Sequence, residues 1–404
     1  MVTTFYPPYH FGGDGTYVRA LSHALARRGH EVVVVHCEDA YQLKAKAAVR
    51  PPEATDEVRV QRLKMPGGFL SPLITQQFGV PGLKSAALRR VFAEEFDVVN
   101  FHNISLIGGP GVISLSRAKV NIYTLHEHWL LCPTHTFWKN KKAACNSRQC
   151  IRCCIRSGIP PQLWRYTPLI KRSLAKIDGF ISPSKYTADR HLELLELTAP
   201  INVIPLFSRL SPQQHNYRGQ EKPNFVYVGR MTASKGVREL LSSFSKWEEF
   251  QLTMIGDGEL LHELRRDYRA CANITFLGQL PQEQLIAQYR SATAVVLPSL
   301  APETFGLTVV EAFACGAPAI VRAAGGNRET IDNTGAGFVY SNEQELLQAV
   351  RSLATDTALR VQLGLQARAA YEAHYTEDTH VSRYLELAES MLKNKSDLIG
   401  SEVG

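Results

Sequence analysis

The sequence predicts an α/β protein built from two Rossmann-like, doubly wound domains that face each other across a cleft. Short apolar runs rich in Val and Ile alternate with helical lengths of chain, which indicates parallel strands covered on both faces. The runs form two series, separated by a polar, proline-containing stretch near Pro205–Asn224. A chain of 404 residues is long enough for two full-sized cores.

The strands of each series can be placed by their apolar runs. The first series comprises Val32–Val35, Val58–Leu63, Val98–Phe101, Ile122–Leu125, Gly179–Ser182 and Ile201–Ile204. The second comprises Phe225–Val228, Leu252–Ile255, Ile274–Leu277, Ala294–Leu297 and Ala319–Arg322. An additional run, Val2–Phe5, is short, so either the first strand is clipped or the natural chain starts upstream of Met1.

The predicted domains are residues 1–205, with a cysteine-rich insertion at 132–165, and residues 206–376. A final helix is predicted over Glu377–Lys393, and we expect it to pack back on the first domain or across both domains. Its apolar stripe consists of Val381, Tyr384, Leu385, Leu387 and Met391.

Composition excludes some classes of protein and suggests partners. No run approaches the roughly 18 apolar residues of a membrane span, and no signal peptide is evident, so we expect a cytoplasmic protein. Residues 1–205 carry 26 Lys and Arg against 15 Asp and Glu, for a net charge of +11, whereas residues 206–404 carry a net charge of −4. A basic first half suits a lipid surface, a phosphate-bearing substrate or nucleic acid, unless it is only a solvated face. The chain has no nucleic-acid-binding signature, so we expect no nucleic-acid partner.

The segment Glu303–Glu311 places two carboxylates eight residues apart. A short buried helix is predicted over Phe305–Cys315, with Gly316 as its C-terminal cap. Glu303 would then precede the helix N-terminus, whose free N–H groups and partial positive charge suit a phosphate. The alternative is a core helix with two exposed glutamates.

Two further motifs follow neighbouring strands of the second series. Gly229 permits a tight turn, and Arg230 and Lys235 can both reach an anion at the strand end. The turn Gly256-Asp-Gly258 follows the next strand, where the backbone could closely approach a base. Each motif alone is also typical of an ordinary turn or surface.

Taken together, the motifs resemble the family-4 retaining glycosyltransferases of the GT-B fold, over nearly the whole chain. The motifs in the first half are Tyr6-Pro-Pro, Phe11-Gly-Gly-Asp, Leu25-Ala-Arg-Arg-Gly-His-Glu-Val and Thr124-Leu-His-Glu. Those in the second half are Val228-Gly-Arg, Lys235-Gly, Gly256-Asp-Gly-Glu and Pro298-Ser followed by the Glu303–Glu311 segment. One departure is Pro205-Leu-Phe-Ser, where the family usually has Pro-Asn-Gly.

This resemblance implies transfer of a sugar from a nucleotide diphosphate sugar to a glycan or lipid-linked acceptor. It also implies retention of anomeric configuration and no cofactor or metal at the reaction centre. The first domain would be the acceptor side and the second would bind the donor. The implied catalytic residues are His126 and Glu303. The implied donor-binding residues are Gly13, Arg230, Lys235, Gly256, Gly258, Glu303, Phe305, Gly306, Leu307 and Glu311.

Several roles follow for individual residues. The resemblance implies that Arg230 and Lys235 neutralise the diphosphate, that Glu311 binds the ribose, and that His126 lies beside the transferred sugar. His126 follows an apolar strand, where a histidine can also be purely structural, and the same alternatives hold for His102 and His128.

Five of the eight cysteines fall between residues 132 and 154. Cys132, Cys145, Cys150 and Cys153 could hold a structural zinc ion, and the neighbouring cations would favour thiolates. An iron–sulfur cluster and plain thiols are the alternatives. Cys37, Cys271 and Cys315 have the pattern of buried core cysteines.

The insertion also carries aromatic and apolar residues among its cations, a combination that suits a membrane interface. They are Phe137, Trp138, Leu163 and Trp164. We therefore expect the first domain to dock peripherally on anionic lipid at the inner membrane face. Two other functions stay open from sequence: a nucleotide-sugar epimerase of the same fold, and a non-catalytic scaffold with a relic site.

Overall fold

The computed structural model describes residues 1–45, 58–208, 210 and 222–402. Most of the predicted linker within Pro205–Asn224 lies outside these residues. The chain forms two compact units. The first comprises residues 1–135, 149–204 and 380–404, and the second comprises residues 136–148 and 205–379.

The described part of the chain contains fourteen strands and fifteen α-helices. The strands are β1 (Val33–Cys37), β2 (Arg59–Leu63), β3 (Val98–Phe101), β4 (Val120–Thr124), β5 (Trp138–Lys139), β6 (Ala143–Ala144), β7 (Gly179–Ser182), β8 (Ile201–Val203), β9 (Asn224–Val228), β10 (Gln251–Ile255), β11 (Ile274–Gly278), β12 (Ala294–Leu297), β13 (Ala319–Arg322) and β14 (Gly337–Tyr340). The helices are α1 (Gly13–Arg27), α2 (Glu38–Lys44), α3 (Leu70–Phe78), α4 (Ser85–Val91), α5 (Cys150–Arg156), α6 (Leu169–Leu174), α7 (Lys185–Leu194), α8 (Val237–Phe244), α9 (Leu261–Asp267), α10 (Gln282–Ser291), α11 (Leu307–Ala314), α12 (Gly326–Thr334), α13 (Glu343–Thr355), α14 (Thr357–His374) and α15 (Glu377–Glu402).

The first unit contains a parallel sheet in two parts. One part pairs β1 with β2, and the other has the strand order β3-β4-β7-β8. Val2 joins them, because it forms parallel bridges to both Val35 and Phe101. The start of the chain, Val2–Phe5, contributes this short connection to the sheet. Its N-terminal amine is buried and donates to the Val33 carbonyl at 2.7 Å.

The second unit contains a six-stranded parallel sheet with the order β11-β10-β9-β12-β13-β14. The five predicted strands of the second series are all present. The sixth, β14, was not predicted, because this edge strand is only four residues long, starts at Gly337 and is mostly half-buried. The prediction of parallel sheets with helices between the strands is confirmed.

Helix α15 extends beyond its predicted end at Lys393 to Glu402. From His380 onward it belongs to the first unit, where Val381, Tyr384 and Met391 of the predicted stripe are buried. The Asn100 amide donates to the Tyr384 hydroxyl at 3.4 Å, and Lys395 forms an ion pair with Asp178 at 2.9 Å. Among the described helices, none combines the length and the apolar character needed to span a bilayer.

Candidate functional site: the carboxyl edge of the second sheet and the histidines of the first

Three loops meet at the carboxyl edge of the second sheet, where parallel sheets bind ligands. They follow β9, β10 and β12. The Met231 N–H donates to the Asp257 carbonyl at 2.8 Å, and the Leu300 N–H donates to the Ser234 carbonyl at 2.9 Å. These bonds hold the Arg230–Lys235 loop between its two neighbours, so motifs that are distant in sequence form one surface.

The glycines of these loops allow the close approach. A methyl group added at Gly256 would lie 2.0 Å from the Gly229 carbonyl oxygen, and one added at Gly258 would lie 2.5 Å from the Met231 carbonyl oxygen. Distances below 3.0 Å require the backbone to shift. Both predicted donor-binding glycines therefore hold the β9 and β10 loops against each other.

Lys235 and Glu303 form an ion pair across this edge. The Lys235 Nζ lies 2.8 Å from the Glu303 Oε2, and both side chains are about three-quarters buried or more, with 25% and 21% of their surface exposed. Ser299 donates to the other carboxylate oxygen of Glu303. The Glu303 backbone is fixed as well, because its carbonyl accepts the Gly326 N–H at 2.7 Å.

The electrostatics of Glu303 keep it ionised. Burial alone would raise its pKa, but the ion pair with Lys235, the Ser299 hydrogen bond and the charge of Arg230 outweigh burial and lower the pKa below its usual value. The site thus places two cations around one carboxylate. It can stabilise an anion through the cations and a developing positive charge through the carboxylate.

Helix α11 starts directly after this carboxylate, with Gly306 as its N-cap. It is shorter than the predicted Phe305–Cys315 helix, and Gly316 beyond its end has the expected left-handed conformation, with φ of 70°. Phe305 and Gly306 are buried and Leu307 is half-buried. A methyl group on Gly306 would lie 2.2 Å from the Asn327 Oδ1, so only glycine fits here without a shift of that side chain.

Glu311 lies in the second turn of α11 and is held by a residue that sequence reasoning missed. The Tyr289 hydroxyl, on α10, donates to the Glu311 Oε2 at 2.7 Å. Burial raises the pKa of Glu311, and this hydrogen bond opposes the shift. Glu303 and Glu311 are both partly buried and hydrogen-bonded, which excludes the alternative of two exposed glutamates.

The remaining predicted site residues belong to the first unit. Gly13 is the first residue of α1, after Gly12 with φ of 86°. The Asn103 amide donates to the Asp14 Oδ2 at 3.1 Å, and burial, reinforced by the charge of Glu127, raises the pKa of Asp14 to about 6. Asp14 ends the Phe11-Gly-Gly-Asp motif, but no role was predicted for it from sequence.

His126 is half-buried and belongs to a chain of rings whose other members, His102, Tyr17 and His380, are buried. The His102 Nδ1 and the His126 Nε2 lie 2.8 Å apart, and the His102 Nε2 lies 3.4 Å from the Met1 sulfur. A thioether only accepts hydrogen bonds, so His102 carries its proton on Nε2 and accepts from the His126 Nε2–H. His126 therefore has its lone pair on Nδ1. The ring of Tyr17 packs edge-on against His126, and the Tyr17 hydroxyl lies 2.6 Å from the His380 Nε2.

Both histidines are neutral at pH 7. Burial lowers the pKa of His126 to about 4, against the opposing charge of Glu127. Burial, together with the charges of His126 and the N-terminal amine, lowers the pKa of His102 well below its usual value. His126 can thus act as a hydrogen-bond partner for a hydroxyl group, but not as a resident cation.

The buried histidines predict an acid-sensitive fold. Burial is the largest cause that lowers the pKa of His36, His126 and His191 to about 4, from about 6.5 in an unfolded chain. The folded state binds fewer protons between these values, so the unfolding free energy falls as pH drops from 6.5 to 4, by about 1.4 kcal/mol per pH unit for each histidine. Asp14, Asp39 and Glu311, whose pKa values burial raises, have the opposite sign, whereas His10 and His102, whose pKa values burial lowers, add to the effect. We expect the melting temperature to fall steadily between pH 7 and pH 5 at constant ionic strength; a constant or rising value would contradict these protonation states.

The cysteine insertion does not form a preorganised metal site. Among the described residues, no group of three or more His, Cys, Asp or Glu side chains is placed to hold a metal ion. The Cys132 sulfur lies 3.2 Å from the Thr134 hydroxyl, and the Cys145 sulfur lies 3.5 Å from the Ser147 carbonyl. Burial raises the pKa of Cys154 to about 11, so its basic surroundings do not make it a thiolate. Structural zinc on Cys132, Cys145, Cys150 and Cys153 stays a prediction.

Comparison with known proteins agrees with the motifs. Residues 11–207 match the model described as Glycosyltransferase Family 4, and residues 211–370 match that of Glycosyl transferases group 1. O-antigen chain mannosyltransferase C of Escherichia coli is 26% identical over 57% of the chain, and the match spans 66% of that protein, just under two thirds. D-inositol 3-phosphate glycosyltransferase of Xylanimonas cellulosilytica is 24% identical over 89% of the chain and 87% of its own length.

Solved structures establish the fold. Sucrose-phosphate synthase of Thermosynechococcus elongatus superimposes with a TM-score of 0.75, at 19% identity, over 97% of this chain and 98% of that one. HepE of Anabaena in complex with UDP superimposes with a TM-score of 0.68, at 16% identity, over 96% and 99% of the two chains. The two family matches together cover most of the sequence, in the order that the motifs indicated. The chain belongs to the family-4 glycosyltransferases of the GT-B fold, and it is a transferase enzyme.

Proposed function

We propose that the chain transfers a sugar from a nucleotide diphosphate sugar to a glycan, lipid-linked or small-molecule acceptor, with retention of anomeric configuration. The observation that carries the proposal is the buried Lys235–Glu303 pair beside the start of α11. A diphosphate at this edge would meet Lys235, Arg230 and the free N–H groups of the helix. Because these groups balance the charge of the leaving diphosphate, the reaction centre requires no metal.

The other residues take roles set by their surroundings. The transition state of glycosyl transfer carries positive charge on the sugar ring, and the ionised Glu303 is the carboxylate that stabilises it. Glu311, oriented by Tyr289, accepts hydrogen bonds from the ribose. Neutral His126, whose ring is held by the 2.8 Å contact with His102, is a hydrogen-bond partner for a hydroxyl of the transferred sugar.

The named relatives support this proposal over the alternatives. HepE was solved with UDP, which is the leaving group of a UDP-sugar donor. The relatives are transferases and synthases, so an epimerase is not favoured. A relic site is not favoured either, because Arg230, Lys235, Glu303 and Glu311 are all present and the two carboxylates are both hydrogen-bonded.

Product analysis tests the proposal. Purified protein is incubated with a panel of nucleotide diphosphate sugars and acceptors in excess EDTA, and the product is examined by NMR. We expect a glycosidic product with the anomeric configuration of the donor. An inverted product would contradict retention, activity abolished by EDTA would contradict metal independence, and an epimerised donor formed without acceptor would favour the epimerase.

Tyr289 provides a test of the ribose assignment. In Tyr289→Phe the partly buried Glu311 loses one hydrogen bond, and a hydrogen bond to a charged group contributes about 1.5–3 kcal/mol. We expect the KM for the donor to rise about tenfold or more, with kcat nearly unchanged, because the ribose is bound equally in the ground and transition states. Tyr166→Phe, at an exposed tyrosine, is the matched control. An unchanged donor KM would contradict the role given to Glu311.

A further inference from the structure

We propose that the first unit docks on an anionic lipid bilayer through a surface that we call the apolar–basic face, formed by residues 69–90 and 151–166. This inference stands on the surface of the first unit and is independent of the catalytic assignment. Its apolar members are Phe69, Leu70, Phe78, Val80, Leu83, Ile151, Ile155, Leu163 and Tyr166, all exposed.

The side chains that define this face are large and well exposed. Phe78, Ile155, Leu163 and Tyr166 each have more than 60% of their surface in solvent. Scattered exposed apolar residues are normal, but a concentration of them marks an interaction surface. Of the fifteen most exposed large apolar residues in the described chain, nine lie in these two segments.

Internal contacts hold the two segments together. The Gln76 amide on α3 donates to the Pro160 carbonyl at 2.7 Å, and the Trp164 indole N–H donates to the Gln76 carbonyl at 2.9 Å. A methyl group on Gly79 would lie 2.8 Å from both Leu169 and Trp164. The segments are therefore packed side by side, and their outward residues share one surface.

Helix α3 is held firmly from the inside. Lys84 is fully buried, and its ammonium donates to the Ser71 carbonyl, the Ser71 hydroxyl and the Thr75 hydroxyl at 2.9–3.0 Å. Gly79, with φ of 67°, ends the helix directly after Phe78. Phe69, Leu70 and Phe78 are thus exposed on an anchored helix.

The charge of these segments selects the partner. Residues 69–90 contain three Lys and Arg and no Asp or Glu, and residues 151–166 also contain three and none. Arg89, Arg90, Arg152 and Arg156 are exposed, and within the described residues none of them forms an ion pair. A surface of apolar side chains among such arginines matches a bilayer whose headgroups carry phosphate. The apolar side chains enter the interface, and the arginines bind the phosphate groups.

The structure corrects the residues that the sequence suggested for this interface. Phe137 and Trp164 are buried, and Trp138 is half-buried. Trp164 packs under the guanidinium of Arg165, whose carbon lies 4.8 Å from the ring centroid. Of the four residues named from sequence, only Leu163 is exposed on the apolar–basic face.

Vesicle flotation of the full chain tests the proposal. The vesicles are phosphatidylcholine alone, or phosphatidylcholine with about 30% phosphatidylglycerol, at ionic strengths of about 0.1 M and 0.5 M. The variants are Phe69→Ser/Phe78→Ser and Arg152→Ser/Arg156→Ser. Leu365→Ser and Arg269→Ser/Arg351→Ser, at exposed positions of the second unit, are the matched controls. Melting temperatures confirm that each variant is folded.

We expect binding to the anionic vesicles only, weakened at high salt. Each arginine near an anionic surface raises the affinity for the vesicle about fivefold. Arg152→Ser/Arg156→Ser should therefore lower the affinity about 25-fold, and Phe69→Ser/Phe78→Ser should lower it at least about tenfold. The controls should bind like the unmodified chain. Absence of binding, equal binding to neutral vesicles, or wild-type binding by both variants would overturn the proposal. So would self-association in solution that Phe69→Ser/Phe78→Ser abolishes, because a second copy of the chain would then occupy this face.

Discussion

Replacing Lys235 with alanine is expected to lower kcat/KM for the donor by about 100- to 1,000-fold, the cost of removing one preorganised group that stabilises charge in the transition state. In the proposed reaction Lys235 would neutralise the leaving diphosphate, and in the structure it holds Glu303 through their 2.8 Å ion pair. Its loss leaves a largely buried carboxylate without its main counter-charge. The pKa of Glu303 should therefore rise, and the acid limb of the pH–rate profile should move to higher pH.

A matched control separates this effect from a general loss of positive charge. Lys246 belongs to the same unit and forms a 2.8 Å ion pair with Glu343, but it is exposed. Lys246→Ala should retain full activity, and Lys235→Arg should recover part of it, because arginine keeps the charge with a different reach. Steady-state kinetics across the pH range is the measurement. Normal turnover by Lys235→Ala would show that this pair lies outside the reaction centre.

The second large effect is expected at His126. His126→Ala should lower kcat by about 100-fold, which is within the range for removal of a positioned group that contacts the reacting sugar. Binding of the nucleoside diphosphate alone should be unchanged, because His126 is assigned to the sugar and not to the nucleotide. His30→Ala, at an exposed histidine of the same unit, is the control.

Comparing the change in turnover with the change in nucleoside diphosphate affinity decides the role of His126. Turnover is measured kinetically, and nucleoside diphosphate affinity is measured by calorimetry on the same preparations. A fall in nucleotide affinity equal to the fall in kcat/KM would place His126 at the nucleotide. Unchanged values of both would make it a structural histidine that packs on Tyr17.

Local sequence signals predicted most of the fold. Strands β9, β10, β12 and β13 lie inside their sheet and are mostly buried, and their apolar runs were visible without any tertiary information. Strand β11 is a partly exposed edge strand, but its run Ile274–Leu277 was apolar enough to be predicted. Strand β14 was missed because it is a short edge strand that starts at Gly337, and its pairing with β13 is a long-range contact. Patterns of hydropathy report burial, so they are weakest where a strand is only partly covered.

The residues of the candidate site could be named from sequence, but the contacts between them could not. Sequence reasoning named Lys235, Glu303 and Glu311 as site residues. Of their partners, Ser299 belongs to the Pro298-Ser motif but was given no role, and Tyr289 lies in no motif. A serine or tyrosine becomes functional only through the side chain it meets in the folded chain. The same limit explains Trp164, which by composition suits an interface but by packing belongs to the core.

We propose that the carboxyl edge of the second sheet is a donor site. The most direct test is to compare the binding of nucleoside diphosphates to the unmodified chain and to Lys235→Ala. Thermal shift with a panel of UDP, GDP, ADP and their sugars is sufficient, because a ligand that binds only the folded state raises the melting temperature. We predict that at least one of these nucleotides stabilises the unmodified chain and that Lys235→Ala loses most of that shift. Stabilisation by none of them, or an equal shift in both proteins, would contradict the donor site.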